Sequence, residues 1–317
     1  MQKVIIAGGA GFIGSHLCDL LVKKSFNVIC VDNLLTGSEK NIKHLLKNNN
    51  FTFLKHDIIR KFNNKAIKQF GNISCIFHLA SPASPIDYQT YPEETALANS
   101  LGTLNMLKLA NENKAKFLFA STSEVYGDPQ KHPQKETYWG NVNSFGSRSS
   151  YDESKRFGEA LTYVYIHKYD IDARIIRIFN TYGPRLQKDD GRVISNFINQ
   201  AIEEKPLTVY GDGSQTRSFC YVSDLVDGIV KAMFYRKTKG EIFNLGNPEE
   251  YSVKEMAVKI IELTGSKSKI SFKSLPKDDP LQRKPDITKA KRIFGWEPSV
   301  SVDKGLLKTI DYYRNLL

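Results

Sequence analysis

KVIIAGGAGFIGSHLCDLLVKK (3–24) joins a short apolar run, a glycine turn and a stretch with apolar residues at helical spacing. That order predicts a buried strand, a tight turn and an amphipathic helix. The same alternation continues outward. NVICVD (27–32), FTFLKHDI (51–58), SCIFHLA (74–80), KFLFAST (116–122) and ARIIRIFN (173–180) read as strands, while 95–113 and 151–170 read as helices. Apolar strands separated by helices imply an α/β fold, a doubly wound parallel sheet covered on both faces. After residue 180 the chain becomes polar and turn-rich, as in TYGPRLQKDDGR (181–192). EIFNLGN (241–247) reads as a strand returning to the main sheet, SVKEMAVKIIELTG (252–265) as a helix ended by glycine, and KSLPKDDPLQRKPD (273–286) as a loop. The expected division is a dinucleotide-binding domain over 1–180, with returning segments near 218–247, interleaved with a smaller α/β substrate domain over 181–317.

Composition narrows the function classes. Of 317 residues, 41% are hydrophobic and 25% charged, which excludes wholesale disorder. No apolar run is long enough to span a bilayer, and the opening strand leaves no room for a secretory leader, so a cytoplasmic protein without a membrane partner is expected. The net charge of +11 comes from Lys residues spread along the chain, which reads as a solvated surface rather than a nucleic-acid site. Cys18, Cys30, Cys75 and Cys220 stand far apart with no metal-ligand spacing, and no metal is expected.

The glycine turn carries chemistry. Gly8, Gly11 and Gly14 leave room for a close backbone approach to a pyrophosphate, and the helix that follows offers free N–H groups to it. Asp32 ends the second strand, where a carboxylate accepts from ribose hydroxyls and repels a 2′-phosphate, favouring NAD over NADP. In YDESK, Tyr151 and Lys155 share one helix face, so an ammonium can sit beside a phenol and favour its ionised form.

The GxxGxxG loop, YxxxK and the hydroxyl residue Thr122 in ASTSEVYGD, taken together, resemble the extended short-chain dehydrogenase/reductases. HLASPASP (78–85), GTLNMLKLA (102–110), YWGNVN (138–143), IFNTYGPR (178–185), DGRVISNFI (190–198), RKPDI (283–287) and GWEP (295–298) narrow the resemblance to the UDP-glucuronate decarboxylases. It implies catalytic roles for Tyr151, Lys155, Thr122 and Glu124: Tyr151 as base at the sugar 4-hydroxyl, Lys155 lowering its pKa, and Glu124 touching the sugar or relaying a proton. It implies cofactor contacts from Gly8, Gly11, Phe12, Ile13, Gly14, Asp32, Asn33, Thr36, Gly37, Asp57, Ile58, Leu79, Ala80, Ser81 and Ala120, besides Tyr151 and Lys155, with NAD held tightly in either redox form. His56 is expected near the adenine. Substrate contacts are implied for Asn99, Asn180, Arg192, Tyr210, Gln215, Arg217, Arg283 and Asp286, and a homodimer through the helices at 95–113 and 151–170. The family carries a Lys two residues before the Asn that leads into GTLN, whereas Leu97 stands here; the residues preceding Tyr151 and Lys155 also differ from its common pattern. The implied activity is therefore decarboxylation of UDP-glucuronate to UDP-xylose. The alternatives are C4 dehydrogenation or epimerisation of an uncharged UDP- or GDP-linked hexose or heptose and, more remotely, a non-catalytic NAD sensor.

Overall fold

The computed structural model describes residues 2–62, 70–274 and 282–316. Six strands follow one another along the first part of the chain: β1 (Lys3–Ala7), β2 (Asn27–Asp32), β3 (Phe51–Lys55), β4 (Cys75–His78), β5 (Lys116–Thr122) and β6 (Ala173–Ile178). A seventh, Ile242–Leu245, joins from the later half, and the spatial order is Ile242–Leu245, β6, β5, β4, β1, β2, β3. Every neighbouring pair is parallel. Parallel strands covered on both faces need apolar residues on both, and β1 supplies Val4, Ile5, Ile6 and Ala7, all fully buried.

Two apolar layers close the sheet. On one face Val4 and Ile6 pack with Leu17 and Leu21 of the helix Phe12–Lys23 and Ile229 of the helix Val222–Phe234. On the other, Ile5, Ile76 and Phe117 pack with Met106, Leu107 and Ala110 of the helix Thr103–Asn113 and Tyr165 of the helix Ser149–Tyr169. Each large apolar side chain buried this way contributes roughly 1.5–3 kcal/mol. Trp296 ties the C-terminal part down: it is fully buried, and its Nε1 donates to the Asp224 carbonyl at 2.9 Å.

The expected helix over 95–113 is broken. It begins as Pro92–Leu97, passes through a π turn at Ala98–Gly102 and continues as Thr103–Asn113. Ser100 and Thr103 hydroxyls bond back to the carbonyls of Ala96 (2.6 Å) and Asn99 (2.7 Å), competing with regular backbone pairing. The helix expected at 252–265 runs over Val253–Thr264, with Ser252 and Glu255 forming a reciprocal cap. The smaller part of the chain also holds a three-stranded sheet, in the order Glu250–Ser252, Thr216–Ser218, Gln282–Arg283, and the pair Leu207–Tyr210 with Ile270–Lys273. Of the loop expected at 273–286, residues 275–281 lie outside the described ones, and Gln282–Arg283 is a strand. The four cysteines are buried and unpaired.

Candidate active site

The order in which strands are added to the sheet reverses between β1 and β4, and at their carboxyl ends a cleft of about 750 Å³ opens towards the smaller sheets. At one end lies the glycine loop. Gly8 has φ +79°, and a Cβ there would stand 2.7 Å from the Ala80 nitrogen; a Cβ on Gly14 would stand 2.0 Å from the Gly8 carbonyl oxygen. The following helix begins at Phe12 with neither a side-chain cap nor an acidic residue in its first turn, leaving an anion-ready terminus. Asp32 accepts from the backbone of Ala10 at 3.0 Å and Leu34 at 2.8 Å. Burial raises its pKa, and these two bonds pull it back down. All the residues expected to touch the cofactor line this cleft, as does His56. A cradle without side chains, an open helix terminus and a carboxylate at the end of β2 fit a dinucleotide with free ribose hydroxyls.

Midway along the cleft, β5 ends in Thr122 and the turn Ser123–Tyr126 presents Glu124. The helix Ser149–Tyr169 brings Tyr151 and Lys155 to the same wall, one turn apart. Burial pushes the Tyr151 phenol up to about 12, while its hydrogen bond with Thr122 pulls it down. Burial pushes the Lys155 ammonium down to about 7, with Glu159 acting in the opposite direction. Lys155 Nζ donates to the Ala120 carbonyl at 2.8 Å and lies 5.8 Å from the centre of the Tyr151 ring. Thr122 is thus the group that most lowers the phenol's pKa, and Lys155 is anchored on β5 beside the Tyr151 ring.

Glu124 lines the same wall. It is ion-paired with Arg148, and Arg283 approaches it at 3.2 Å. Burial opposes ionisation, but the two arginines outweigh it and hold the carboxyl at about 2. A carboxylate so strongly ionised anchors charge and is ill suited to relaying a proton near neutral pH. Arg283 is 1% exposed and also donates to the Ser123 carbonyl, so its guanidinium is committed largely to shaping this wall.

Asn180, Arg192, Tyr210, Gln215 and Arg217 line the far part of the cleft. Arg192 is gripped bidentately by Asp190 at 2.5 and 2.7 Å, and its charge favours ionisation of Tyr151. Gln215 Nε2 donates to the Tyr210 carbonyl at 2.6 Å.

Three expected positions fall elsewhere. Asn99 is fully buried and its amide donates to Ser154 at 3.0 Å, so it braces the helix of Tyr151 from behind. Asp286 caps the turn into the helix Thr288–Phe294 by accepting from the Thr288 nitrogen at 2.8 Å. Leu97 is absent from the cleft wall, which is formed there by Glu94 and Ala98. Conversely, the sequence reading gave no site role to Tyr88 or Arg148, which both line the cleft. Tyr88 stacks on Tyr151, with ring centres 5.0 Å apart and planes 9° from parallel. Its segment, PIDYQT, carries no motif, and nothing local announces a contact across 63 residues. Arg148, three residues before Tyr151, was detectable only as a cation beside the motif.

A family model described as GDP-mannose 4,6 dehydratase matches residues 5–309. UDP-glucuronic acid decarboxylase 1 of Xenopus tropicalis is 49% identical over 316 residues, covering 100% of this chain and 73% of that protein. UDP-glucuronic acid decarboxylase 4 of Arabidopsis thaliana is 50% identical over 315 residues, covering 98% and 68%. The solved UDP-glucuronic acid 4-epimerase from Bacillus cereus, in complex with UDP-glucuronic acid and NAD, superimposes with a TM-score of 0.90 at 32% identity, covering 100% of both chains.

Proposed function

The chain belongs to the GDP-mannose 4,6-dehydratase family, and on that premise we propose that it is an NAD-dependent enzyme converting UDP-glucuronate to UDP-xylose by decarboxylation. One observation carries the reading: a single cleft joins a glycine cradle, a Tyr–Thr pair and arginines suited to an anionic sugar nucleotide. When bound, NAD would supply the hydride acceptor and, in its oxidised form, a positive charge that favours an ionised phenol. Tyr151 takes the proton of the sugar 4-hydroxyl, and Thr122 on the same wall favours its ionised form. With C4 oxidised, the ketone lies β to the C5 carboxylate, and CO2 leaves because the ketone accepts the electron pair. A proton added at C5, and at C4 the hydride that the reduced cofactor would give back together with the proton that Tyr151 returns to the C4 oxygen, complete the turnover. Arg217 and Arg192 line the far part of the cleft, where their positive charge favours the anionic parts of the substrate, Arg192 with its fork held in place by Asp190.

We assign 1–180, with the segments near 218–247, to the cofactor and 181–317 to the sugar nucleotide. Homodimerisation is supported by exposed apolar residues along the helix Ser149–Tyr169, Phe157 and Val164, beside exposed Leu101 on the π turn. Four buried thiols suit a reducing compartment, the cytoplasm, and among the described residues no helix is long and apolar enough to cross a membrane. The test is release of labelled CO2 from UDP-glucuronate labelled at C6. Wild type should release it and Tyr151→Phe should release less than about one hundredth as much; equal release would overturn Tyr151 as the base, and none from wild type would overturn the reaction.

A further inference from the structure

Residues 184–187 leave the short strand Thr181–Tyr182 and cross to the cofactor side of the cleft. Leu186 and Gln187 line that cleft together with Phe12, Ile13 and Thr36. Three elements hold the crossing. On the helix Phe12–Lys23, the His16 ring donates from Nε2 to the Pro184 carbonyl at 2.9 Å, and Asp19 pairs with Arg185 Nη2 at 2.7 Å. Beyond β2, the Thr36 carbonyl accepts from Gln187 Nε2. From the helix Val302–Arg314, the Tyr313 hydroxyl donates to the Leu186 carbonyl at 2.8 Å. The segment therefore ties the C-terminal part of the chain to the helix that follows the glycine cradle and to the loop that follows Asp32.

Local preference does not put Arg185 there. Its φ is +68°, a left-handed conformation unfavourable to a residue with a Cβ, and its buried Nη1 has no hydrogen-bond partner among the described residues. A strained backbone and an unmatched donor are poor choices for a pair that serves stability alone. What the pair secures is placement. Asp19, fixed on its other oxygen by the His44 ring at 2.6 Å, holds Arg185, and the next two residues then face the cleft, with Leu186 buried and Gln187 reaching Thr36. We propose that 184–187 is a strap that retains NAD, and that Arg185 is its positioning residue, latching it to Asp19. Exit of a dinucleotide seated on the glycine cradle would require the strap to lift. The inference needs the dinucleotide and not the identity of the sugar, so it goes beyond the proposed reaction. It also supplies what any reaction that returns its hydride requires, a cofactor kept through the whole turnover.

The test follows the fluorescence of NADH as it leaves loaded protein chased with excess NAD. Arg185→Gln and Asp19→Asn each remove the ion pair, and neither residue lines the cleft. Each should speed release about fivefold, the effect of one partly exposed ion pair. The double variant should release no faster than either alone, because both substitutions delete the same interaction. Asp303→Asn is the control: it breaks the ion pair to Lys259 at 2.6 Å, which joins the helices Val253–Thr264 and Val302–Arg314 away from the cleft. It should leave release at the wild-type rate, whatever it does to thermal unfolding. Wild-type release from Arg185→Gln or Asp19→Asn, additive acceleration in the double variant, or equal acceleration by Asp303→Asn would each overturn the latch. Failure of the protein to release CO2 from UDP-glucuronate would overturn the proposed reaction and leave this readout unchanged.

Discussion

Replacing Glu124 by Gln removes one negative charge from between two enclosed guanidinium groups. The Arg148 and Arg283 side chains are 17% and 2% exposed, so neither recovers its hydration when the carboxylate is gone. Burial alone would raise the Glu124 pKa; the arginines reverse that and hold it at about 2, against an ordinary value of 4.5. At about 1.4 kcal/mol per pKa unit, the difference is roughly 3 kcal/mol of folding stability at neutral pH. Breaking a buried ion pair by removing one partner costs about the same, ~3–5 kcal/mol. The sign follows from the direction of the shift. A carboxyl depressed in the folded state contributes its full stability above the unfolded value of 4.5 and loses it as pH falls towards about 2. The gap between wild type and Glu124→Gln should therefore be roughly 3 kcal/mol at pH 7 and about 1 kcal/mol at pH 3. Urea unfolding followed by tryptophan fluorescence measures it. With a slope of about 3 kcal/mol per molar, the midpoint at pH 7 should fall by about 1 M. Equal midpoints at pH 7, or a gap that widens towards pH 3, would refute the argument that Arg148 and Arg283 hold Glu124 ionised.

Lys155 should behave in the opposite way to a stabilising charge. Burial holds its folded pKa at about 7, below the unfolded 10.5, so wild-type stability should rise with pH between those values. Lys155→Met should lose turnover, remove that slope and unfold at a higher temperature than wild type below pH 7; matching slopes from thermal unfolding at stepped pH would contradict this. Gly14→Ala places a Cβ 2.0 Å from the Gly8 carbonyl oxygen, so the purified variant should lack bound NAD by its absorbance spectrum. NAD retained at the wild-type level would show that the loop yields without losing its cradle. Asn99→Ala deletes the buried bond to Ser154 and should cost about 1 kcal/mol of stability while leaving KM for UDP-glucuronate unchanged. A raised KM with unchanged stability would return Asn99 to the substrate site.

The parts of this site legible in sequence are those whose geometry is local. GGAGFIG is read from one turn and one helix start, and YDESK from the i, i+4 spacing of a helix face, because neither needs a distant contact to fix its shape. Thr122 is legible for a similar reason, as the last residue of an apolar strand. Asn99 and Asp286 were misplaced because motif proximity says nothing of which way a side chain faces. At Asn99 the helix passes through a π turn, and one extra residue per turn changes the face on which each side chain emerges. Asp286 follows a strand whose pairing with Thr216–Ser218 is a long-range event. The fate of Arg283 was similarly hidden. A basic residue in RKPDI suggests a phosphate partner, but the fold delivers it to Glu124, 159 residues away. Tyr88 is the plainest case, since its stacking on Tyr151 is created only when the loop after β4 folds across the helix Ser149–Tyr169.

The central claim is that one protein, with cofactor it already holds, both oxidises and reduces C4 around a decarboxylation. Incubating the purified protein with UDP-glucuronate and no added NAD, and following the nucleotide sugars by mass spectrometry, addresses it directly. The account predicts that UDP-glucuronate is converted over many turnovers to a UDP-pentose one CO2 lighter. A product that keeps its carboxylate, or conversion that stops after a single turnover at a 4-keto sugar, would contradict it.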